Sequence, residues 1–142
     1  MNSSLSSSQP QAELPSDPRA RGFLLERGGA EMLRARRYGR DLGLVSVALK
    51  AASPRANALA AEVFMAVVRT GVDDVVPLHD GTLAALLPET ALAGTIHLAA
   101  RVQQKMVMCG LDARVGFAAL DPDDNRFLDM LARAERMLVG ED

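Results

Sequence analysis

The stretch LHDGTLAALLPETALAGTIHLAARVQQKM, residues 78–106, decides the fold of this chain. An Asp80-Gly81 step separates the apolar runs 75–78 and 82–87, and such a step between two strand-like runs is a strong hairpin signal. Beyond the second run, apolar residues recur at intervals of three and four, which is typical of a half-buried helix. The stretch therefore predicts a β-hairpin followed by a helix. The predicted buried stripe of that helix is Leu92, Ile96, Ala99, Val102, Met106 and Cys109.

A helix and two further strands flank this stretch. LGLVSVAL (42–49) and ARVGFAAL (113–120) are short apolar runs of the kind that form buried strands. Ser53-Pro54 predicts a helix start, with Ser at the N-cap and Pro at the first helical position. A turn at 121–125 leads into a last helix. The inward residues predicted for these two helices are Leu59, Val63, Val67, Phe127, Leu131, Ala134 and Leu138.

The order of these elements predicts the fold class. The succession β-α-β-β-α-β, then α, indicates an α/β (α+β) domain with a ferredoxin-like antiparallel sheet and helices packed on one face. A helix over residues 21–40 precedes it, and Gly28-Gly29 is expected to bend that helix or to delay its start until Ala30. Thr90 is the predicted N-cap of the helix after the hairpin. Core filling is predicted for Met65, Met106, Met108, Met130 and Met137.

Composition limits the domain organisation and the class of protein. The chain has 142 residues, 49% of them apolar and 4% aromatic, so one domain with an aliphatic core is expected at 21–142. Residues 1–20 are rich in Ser and Pro and predict a disordered tail. No apolar run approaches the roughly 20 residues of a membrane helix, and no secretory signal is present. A cytoplasmic protein without a membrane span is the expectation.

Four segments, in the right order, resemble GGDEF (diguanylate-cyclase-like) domains. Residues 78–106 are similar to that family's signature hairpin, with the Leu-Pro-x-Thr element at 87–90. Residues 33–47 resemble its entry into the first strand, 111–120 its glycine-containing strand, and 128–138 its closing helix. The resemblance covers about residues 17–138. It implies a nucleotide-cyclase-like fold.

The positions that carry catalysis in such domains differ in this chain. The resemblance implies two divalent metals, held by an Asp at the end of the first strand and by an acid in the signature turn, because hard cations need carboxylate oxygens. The aligned strand end reads Val-Ala-Leu-Lys at 47–50, and the turn reads His79, Asp80, Gly81, Thr82 and Leu83. We therefore expect neither cyclase activity nor a bound cofactor.

The guanine-binding segment of the family also has no counterpart. That long segment joins the first strand to the next helix, whereas in this chain Ala51-Ala52 alone separate Lys50 from the helix cap at Ser53. This shortening predicts that the hairpin tip has nothing opposite it to face.

A second family site is an inhibitory Arg-x-x-Asp that binds cyclic diguanylate just before the signature. The nearest candidates are Arg69 and Asp73, which are one residue further apart, so they form a candidate vestigial ligand site. The structural interpretation is an Arg at a helix end and an Asp at the start of a strand.

Three hypotheses for function follow. The first is a non-catalytic GGDEF-like domain that acts as a protein-interaction or regulatory module in bacterial cyclic-diguanylate-related signalling, with a protein partner or a second copy. The second is a degenerate sensor that binds cyclic diguanylate or another nucleotide without turnover. The third is an adaptor for nucleic acid or anionic lipid, because residues 19–40 carry a formal charge of +5. The candidate basic face comprises Arg34, Arg36, Arg37 and Arg40.

Overall fold

The computed structural model describes residues 18–139, which form four helices and one four-stranded sheet. The elements are α1 (Pro18–Tyr38), β1 (Leu42–Leu49), α2 (Pro54–Val67), β2 (Asp74–His79), β3 (Thr82–Pro88), α3 (Leu92–Met108), β4 (Ala113–Ala119) and α4 (Phe127–Val139). The predicted order of elements is confirmed. Within these residues, no helix combines the length and the apolar character needed to cross a membrane.

The sheet has the strand order β2-β3-β1-β4, and every neighbouring pair is antiparallel. β1 lies in the middle, paired with β3 on one side and with β4 on the other. Its residues 42–47 are all buried, as expected for an apolar run without alternation. This is the predicted ferredoxin-like arrangement, with two helical crossovers around the β2–β3 hairpin.

Helices cover both faces of the sheet. α2 and α3, the two crossover helices, share one apolar cluster that includes Val45, Phe64 and Val102. α1 and α4 share the second cluster with Leu44 and Leu131. The prediction of helices on one face therefore holds for the crossovers alone. Because β1 alternates Leu44 and Val45 between the two clusters, its opposite face also needs a cover, and α1 and α4 provide it.

α1 is continuous from Pro18 to Tyr38, so the expected late start at Ala30 is wrong, whereas the bend at Gly28-Gly29 stays a prediction. The reason is a close approach: a Cβ at Gly28 would lie 2.4 Å from the ring of Phe127 on α4. Packing of this ring offsets the roughly 1 kcal/mol propensity cost of a helical glycine. The helix also begins slightly before residue 21. The remainder of the predicted tail, residues 1–17, lies outside the described residues.

The predicted start of α2 is confirmed. Ser53 is the N-cap, its Oγ accepts a hydrogen bond from the backbone N–H of Ala56 at 3.0 Å, and Pro54 follows. The predicted cap of α3 is wrong: Ala91 occupies the N-cap position without a side-chain bond. Thr90 instead donates its hydroxyl to the carbonyl of Pro88 at 3.2 Å.

The buried stripe of α3 also differs from the prediction. It consists of Thr95, Ala99, Val102 and Met106, whereas Leu92, Ile96 and Cys109 are exposed. Thr95 is buried because its hydroxyl bonds the Ala91 carbonyl at 2.9 Å, which removes the cost of burying a polar group. The predicted core role is wrong for three methionines that are exposed. They are Met65, Met108 and Met137.

Candidate functional site

The ends of β1 and β3 bring together the two positions, Ala48 and Thr82, at which the family resemblance implies metal-binding acids. Ala48 and Thr82 are direct Cα partners in the β1–β3 ladder. Because directly opposed residues project to the same face of a sheet, their side chains are neighbours. Thr82 is buried and Ala48 is half-buried. A methyl group and a hydroxyl thus occupy this pair, and neither supplies the carboxylate oxygens that hard divalent cations prefer.

The signature turn is a two-residue hairpin tip, as predicted. His79 pairs with Thr82, a bulge lies between Pro77 and His79, and Gly81 has φ +79°. Asp80 and Gly81 form the tip, which agrees with the positive φ that an Asp-Gly turn requires. Leu83 is buried in the cluster that α2 and α3 share and anchors the turn to the core.

The tip is packed against the β1–α2 connection, so the expectation that nothing faces it is wrong. The backbone N–H of Leu49 donates to the Gly81 carbonyl at 2.7 Å, and a Cβ at Gly81 would lie 2.8 Å from that of Ala52. Asn57 on α2 donates to the Asp80 carboxylate at 2.7 Å. The shortened connection therefore brings Ala52 and α2 directly onto the turn.

Metal-binding potential is low throughout the described residues. Between residues 18 and 139, no three His, Cys, Asp or Glu side chains lie close enough together to hold an ion. Asp80 is the one acid of the turn, and Asn57 already bonds its carboxylate. The residues at this end of the sheet do not fit the pair of divalent metals that the family resemblance implies.

Arg69 and Asp73 are brought together by the loop between α2 and β2. Asp73 has a fully buried side chain and accepts from the backbone N–H of Arg69 at 2.8 Å, from Nε at 3.2 Å and from Nη2 at 2.7 Å. The pKa of the Arg69 guanidinium is raised, chiefly by its hydrogen bond with Asp73. The pair is an internal ion pair in which the Arg fork is already engaged.

The same guanidinium also fastens the end of β3. Arg69 Nη2 donates to the Pro88 carbonyl at 2.7 Å and lies 2.9 Å from the Thr90 hydroxyl. Glu89, between them, has φ +55°, an uncommon conformation for a residue with a side chain. Its carboxylate accepts from Arg40 at 2.8 Å. The contacts of Arg69 therefore hold the Leu-Pro-Glu-Thr segment and serve the fold.

The four arginines predicted as a basic face do not share a face. Arg34 bonds Glu31, and Arg36 donates to the backbone carbonyls of Asp121 and Pro122. Arg37 lies over the ring of the neighbouring Tyr38, and Arg40, beyond the helix end, bonds Glu89. Arg36 is two positions after Arg34 and one before Arg37, offsets that turn it to a different side of the helix from both, whereas Arg34 and Arg37 are three apart and are neighbours on the helix surface.

Sequence reasoning missed the ion pair between Arg133 and Asp124. Asp124 is almost fully buried, and Arg133 Nη2 also donates to the Ala119 carbonyl at 2.6 Å. The pKa of Arg133 is raised, first by its hydrogen bond with Asp124. The pair fastens the turn after β4 onto α4. The available signal was Asp124, the last acid of the turn and three residues before α4, together with Arg133, which lies between the buried Leu131 and Ala134.

The structure is similar to solved GGDEF domains. The active GGEEF domain of a diguanylate cyclase from Vibrio cholerae matches with a TM-score of 0.76 at 16% identity, over 89% of this chain and 90% of that one. The GGDEF domain of DgcB from Caulobacter crescentus, in complex with c-di-GMP, matches with a TM-score of 0.69 at 14% identity, over 92% and 91%.

A third similar structure is a complex of two proteins. The diguanylate cyclase SiaD from Pseudomonas aeruginosa, in complex with its activator SiaC, matches with a TM-score of 0.67 at 21% identity, over 87% of this chain and 56% of that one. Neither a family model nor a curated protein matches the sequence. The similarity to these structures is one of fold, and this chain has a GGDEF-like fold.

Proposed function

We propose that this chain is a non-catalytic GGDEF-like domain that acts as a protein-interaction or regulatory module in bacterial cyclic-diguanylate-related signalling. The observation that carries the proposal is the direct pairing of Ala48 with Thr82, the positions at which the family resemblance implies metal-binding acids. Without carboxylates at this pair, no metal neutralises the charge that develops on a transferring phosphoryl group. Loss of such a charge-stabilising group typically costs orders of magnitude in rate.

The packing of the hairpin tip supports the same proposal. In the family a long segment between the first strand and the following helix recognises guanine. In this chain Ala52 lies against Gly81 and Leu49 bonds the Gly81 carbonyl, so the space beside the turn is filled by protein. A domain with an intact core, whose signature turn packs on its own chain, still offers surfaces to a partner. The SiaD–SiaC complex shows that a GGDEF protein can have a protein activator.

The sensor hypothesis is less well supported by the geometry. Binding of cyclic diguanylate by Arg69 would require its guanidinium to leave Asp73, whose buried carboxylate would then lose two donors. The c-di-GMP complex of DgcB is the precedent for that ligand. In this chain Arg69 and Asp73 are one residue further apart than the Arg-x-x-Asp that the family resemblance implies.

An isotope-edited NMR titration with GTP and Mg²⁺, and separately with cyclic diguanylate, tests the proposal. We expect no saturable shift in either titration. Saturable shifts centred on residues 77–83 would contradict the proposal and support a nucleotide sensor. Shifts confined to Arg69, Asp73 and their neighbours would instead support an inhibitory-type site.

A further inference from the structure

β4 is an edge strand of the sheet, and alternate residues bond its backbone to β1. At one end of this ladder, Lys50 donates its N–H to the Asp112 carbonyl at 2.9 Å. At the other end, Leu120 donates its N–H to the Leu42 carbonyl at 2.9 Å. Hydrogen-bonded and non-hydrogen-bonded pairs alternate along an antiparallel ladder, so the even-numbered residues between these ends also bond β1. The odd-numbered residues of 113–119 therefore direct their N–H and C=O groups away from the sheet.

Side chains of the neighbouring helices occupy the outward carbonyls at both ends of the strand. Gln103 of α3 donates to the Ala113 carbonyl at 3.3 Å. Arg133 of α4 donates to the Ala119 carbonyl at 2.6 Å. Between these two contacts, no group within residues 18–139 bonds the N–H or the carbonyl of Val115. Open backbone groups on an edge strand are a template for pairing with another strand.

The outward N–H of Phe117 has only a weak acceptor. It donates to the Sδ atom of Met137 on α4 at 3.4 Å. A thioether sulfur accepts hydrogen bonds poorly, and an unbranched methionine side chain changes its conformation readily. The carbonyl of an incoming strand is a stronger acceptor and would take the place of the sulfur. The edge can therefore pair with another strand at both Val115 and Phe117.

β2, the opposite edge of the sheet, carries devices that block such pairing. It contains Pro77, and a bulge lies between Pro77 and His79. Prolines and bulges are the means by which natural edge strands avoid contact with a further strand. β4 has the sequence ARVGFAA, without proline, and its register with β1 is unbroken from Ala113 to Ala119. β4 is thus the edge that remains regular and open.

A groove of about 560 Å³ lies beside this edge, between α3 and α4. Phe117 packs towards the cluster shared by α2 and α3, and it lines the groove together with Leu92, which is 52% exposed. Arg136 and Met137 line the groove from α4, on the other side of the sheet. A strand added along β4 would therefore have an apolar surface on its α3 side and a guanidinium on its α4 side.

Arg136 gives the groove a charge that the protein itself leaves unpaired. Its side chain is exposed, and no ion pair in the described part of the chain includes it. Arg133 is by contrast paired with Asp124. Asp121 also lines the groove, but it follows the end of β4, beyond the open residues. A carboxylate that approaches the α4 side of β4 therefore finds one unpaired guanidinium.

We infer that β4 binds an extended segment of a partner protein, which adds to the sheet as a further strand. Successive side chains of a strand project to opposite faces, so the segment that fits alternates apolar and acidic residues. Its apolar side chains lie against Leu92 and Phe117, and its carboxylates lie on the side of Arg136. This inference rests on the proposed function, because it names the surface and the class of partner of the interaction module.

Isotope-edited NMR of the full chain with a synthetic peptide tests the inference. The probe is the acetylated and amidated heptapeptide Thr-Val-Glu-Val-Glu-Val-Thr, which matches the seven residues of β4. We expect saturable shifts at residues 113–119. Amide exchange is expected to slow at Val115 and at the other odd-numbered residues but not at the even-numbered ones, which already bond β1. A peptide that binds through side chains alone would not produce this alternation.

Two variants test the backbone and the charge separately. Val115→Pro removes an outward N–H without touching the β1 ladder, and we expect it to raise the dissociation constant of the probe about ten-fold, whereas Val115→Thr keeps the N–H and the affinity. Arg136→Glu is expected to raise the constant at least about ten-fold and to favour a probe with Lys in place of Glu. The matched control is Arg55→Glu, an exposed position of α2, which packs on α3 and β2.

Circular dichroism checks that each variant folds, and Arg136→Glu with the Lys probe decides the matter if Val115→Pro does not fold. The inference would be overturned by the absence of saturable shifts at 113–119, by exchange that slows equally at even and odd residues, or by an affinity indifferent to Arg136→Glu. A dimer of the wild type that Val115→Pro dissociates would assign the edge to a second copy and also overturn it. Failure of the proposed function appears separately, as nucleotide binding or GTP turnover.

Discussion

Ala48 of β1 and Thr82 of β3 face each other as Cα partners in the central antiparallel pair of the sheet. Side chains that are directly opposed in this way have Cβ atoms about 4.5–5.5 Å apart, close enough for two carboxylates to share cations. A methyl and a hydroxyl occupy the pair, and the hairpin tip beyond it packs on Ala52. This end of the sheet is therefore packed against the chain's own residues.

Introducing acids at the pair is expected to destabilise the domain. In Ala48→Asp/Thr82→Glu, two carboxylates would face each other at a largely buried place, at a cost of about 1–3 kcal/mol beyond the sum of the single variants. One carboxyl pKa is then raised in the folded state, so the stability of the double variant is greater at pH 5 and is lost as the pH rises. Urea denaturation at pH 5 and pH 8 measures this. Additive single-variant effects would contradict the account.

Substitution of Gly81 by Ala is expected to cost about 1–3 kcal/mol, because the new Cβ meets both an unfavourable φ and the side chain of Ala52. Gly71→Ala is the matched control. Gly71 also has a positive φ, of +81°, but nothing lies within 4 Å of a Cβ added there. Urea denaturation measures the unfolding free energy of both variants, and the difference between their losses gives the cost of the contact with Ala52. Equal losses of unfolding free energy in the two variants would show that the contact with Ala52 contributes nothing. His79→Ala is expected to change the unfolding free energy little.

Arg69→Ala is expected to lower the free energy of unfolding by about 1–3 kcal/mol, since it removes two donors from the buried carboxylate of Asp73. The expected loss of unfolding free energy is smaller than for a fully buried ion pair, because about half of the Arg69 side chain is exposed. Arg40→Ala, which breaks the exposed pair with Glu89, is the control and should cost under about 1 kcal/mol. If chemical denaturation gave Arg69→Ala and Arg40→Ala similar losses of unfolding free energy, the result would argue against a structural role for Arg69.

The hairpin and the strand order could be predicted from the sequence because they depend on local signals. Asp80-Gly81 fixes a two-residue turn, and Ser53-Pro54 fixes the start of α2, through backbone geometry that needs no tertiary partner. The βαββαβ topology then follows from chain order. The pairing of the candidate site residues at Ala48 and Thr82 is a consequence of the same register.

The predictions that failed concern residues whose burial or exposure the periodicity of the sequence does not reveal. Gly28 stays helical because Phe127 packs on it, and Thr95 enters the core because its own hydroxyl is satisfied within α3. The sequence predicts core filling for these methionines, yet Met65 on α2 and Met108 on α3 are exposed. Sequence periodicity cannot distinguish an apolar residue that faces the sheet from one that lies on a surface open to a partner.

Asp129 is expected to give α4 a pH-dependent contribution to stability. Its carboxylate accepts from the backbone N–H of Arg126 at 3.0 Å and of Asn125 at 2.8 Å, and these bonds, the Arg126 bond first, lower its pKa from the ordinary value of 3.8. The contribution is therefore present above pH 3.8 and is lost as the pH falls through the lower folded pKa. Thermal melts of wild type and Asp129→Asn between pH 2 and 7 should converge at the acid end. Curves that remain parallel would contradict this assignment.

Incubation of the purified full chain with GTP and either Mg²⁺ or Mn²⁺, followed by chromatographic detection of cyclic diguanylate, tests the central claim most directly. An active cyclase assayed in parallel shows that product can be detected. We expect no product above a control without protein. Product that forms with the wild type and disappears in both Asp80→Ala and Thr82→Ala would show that the signature turn is catalytic, and it would contradict the account of a non-catalytic domain.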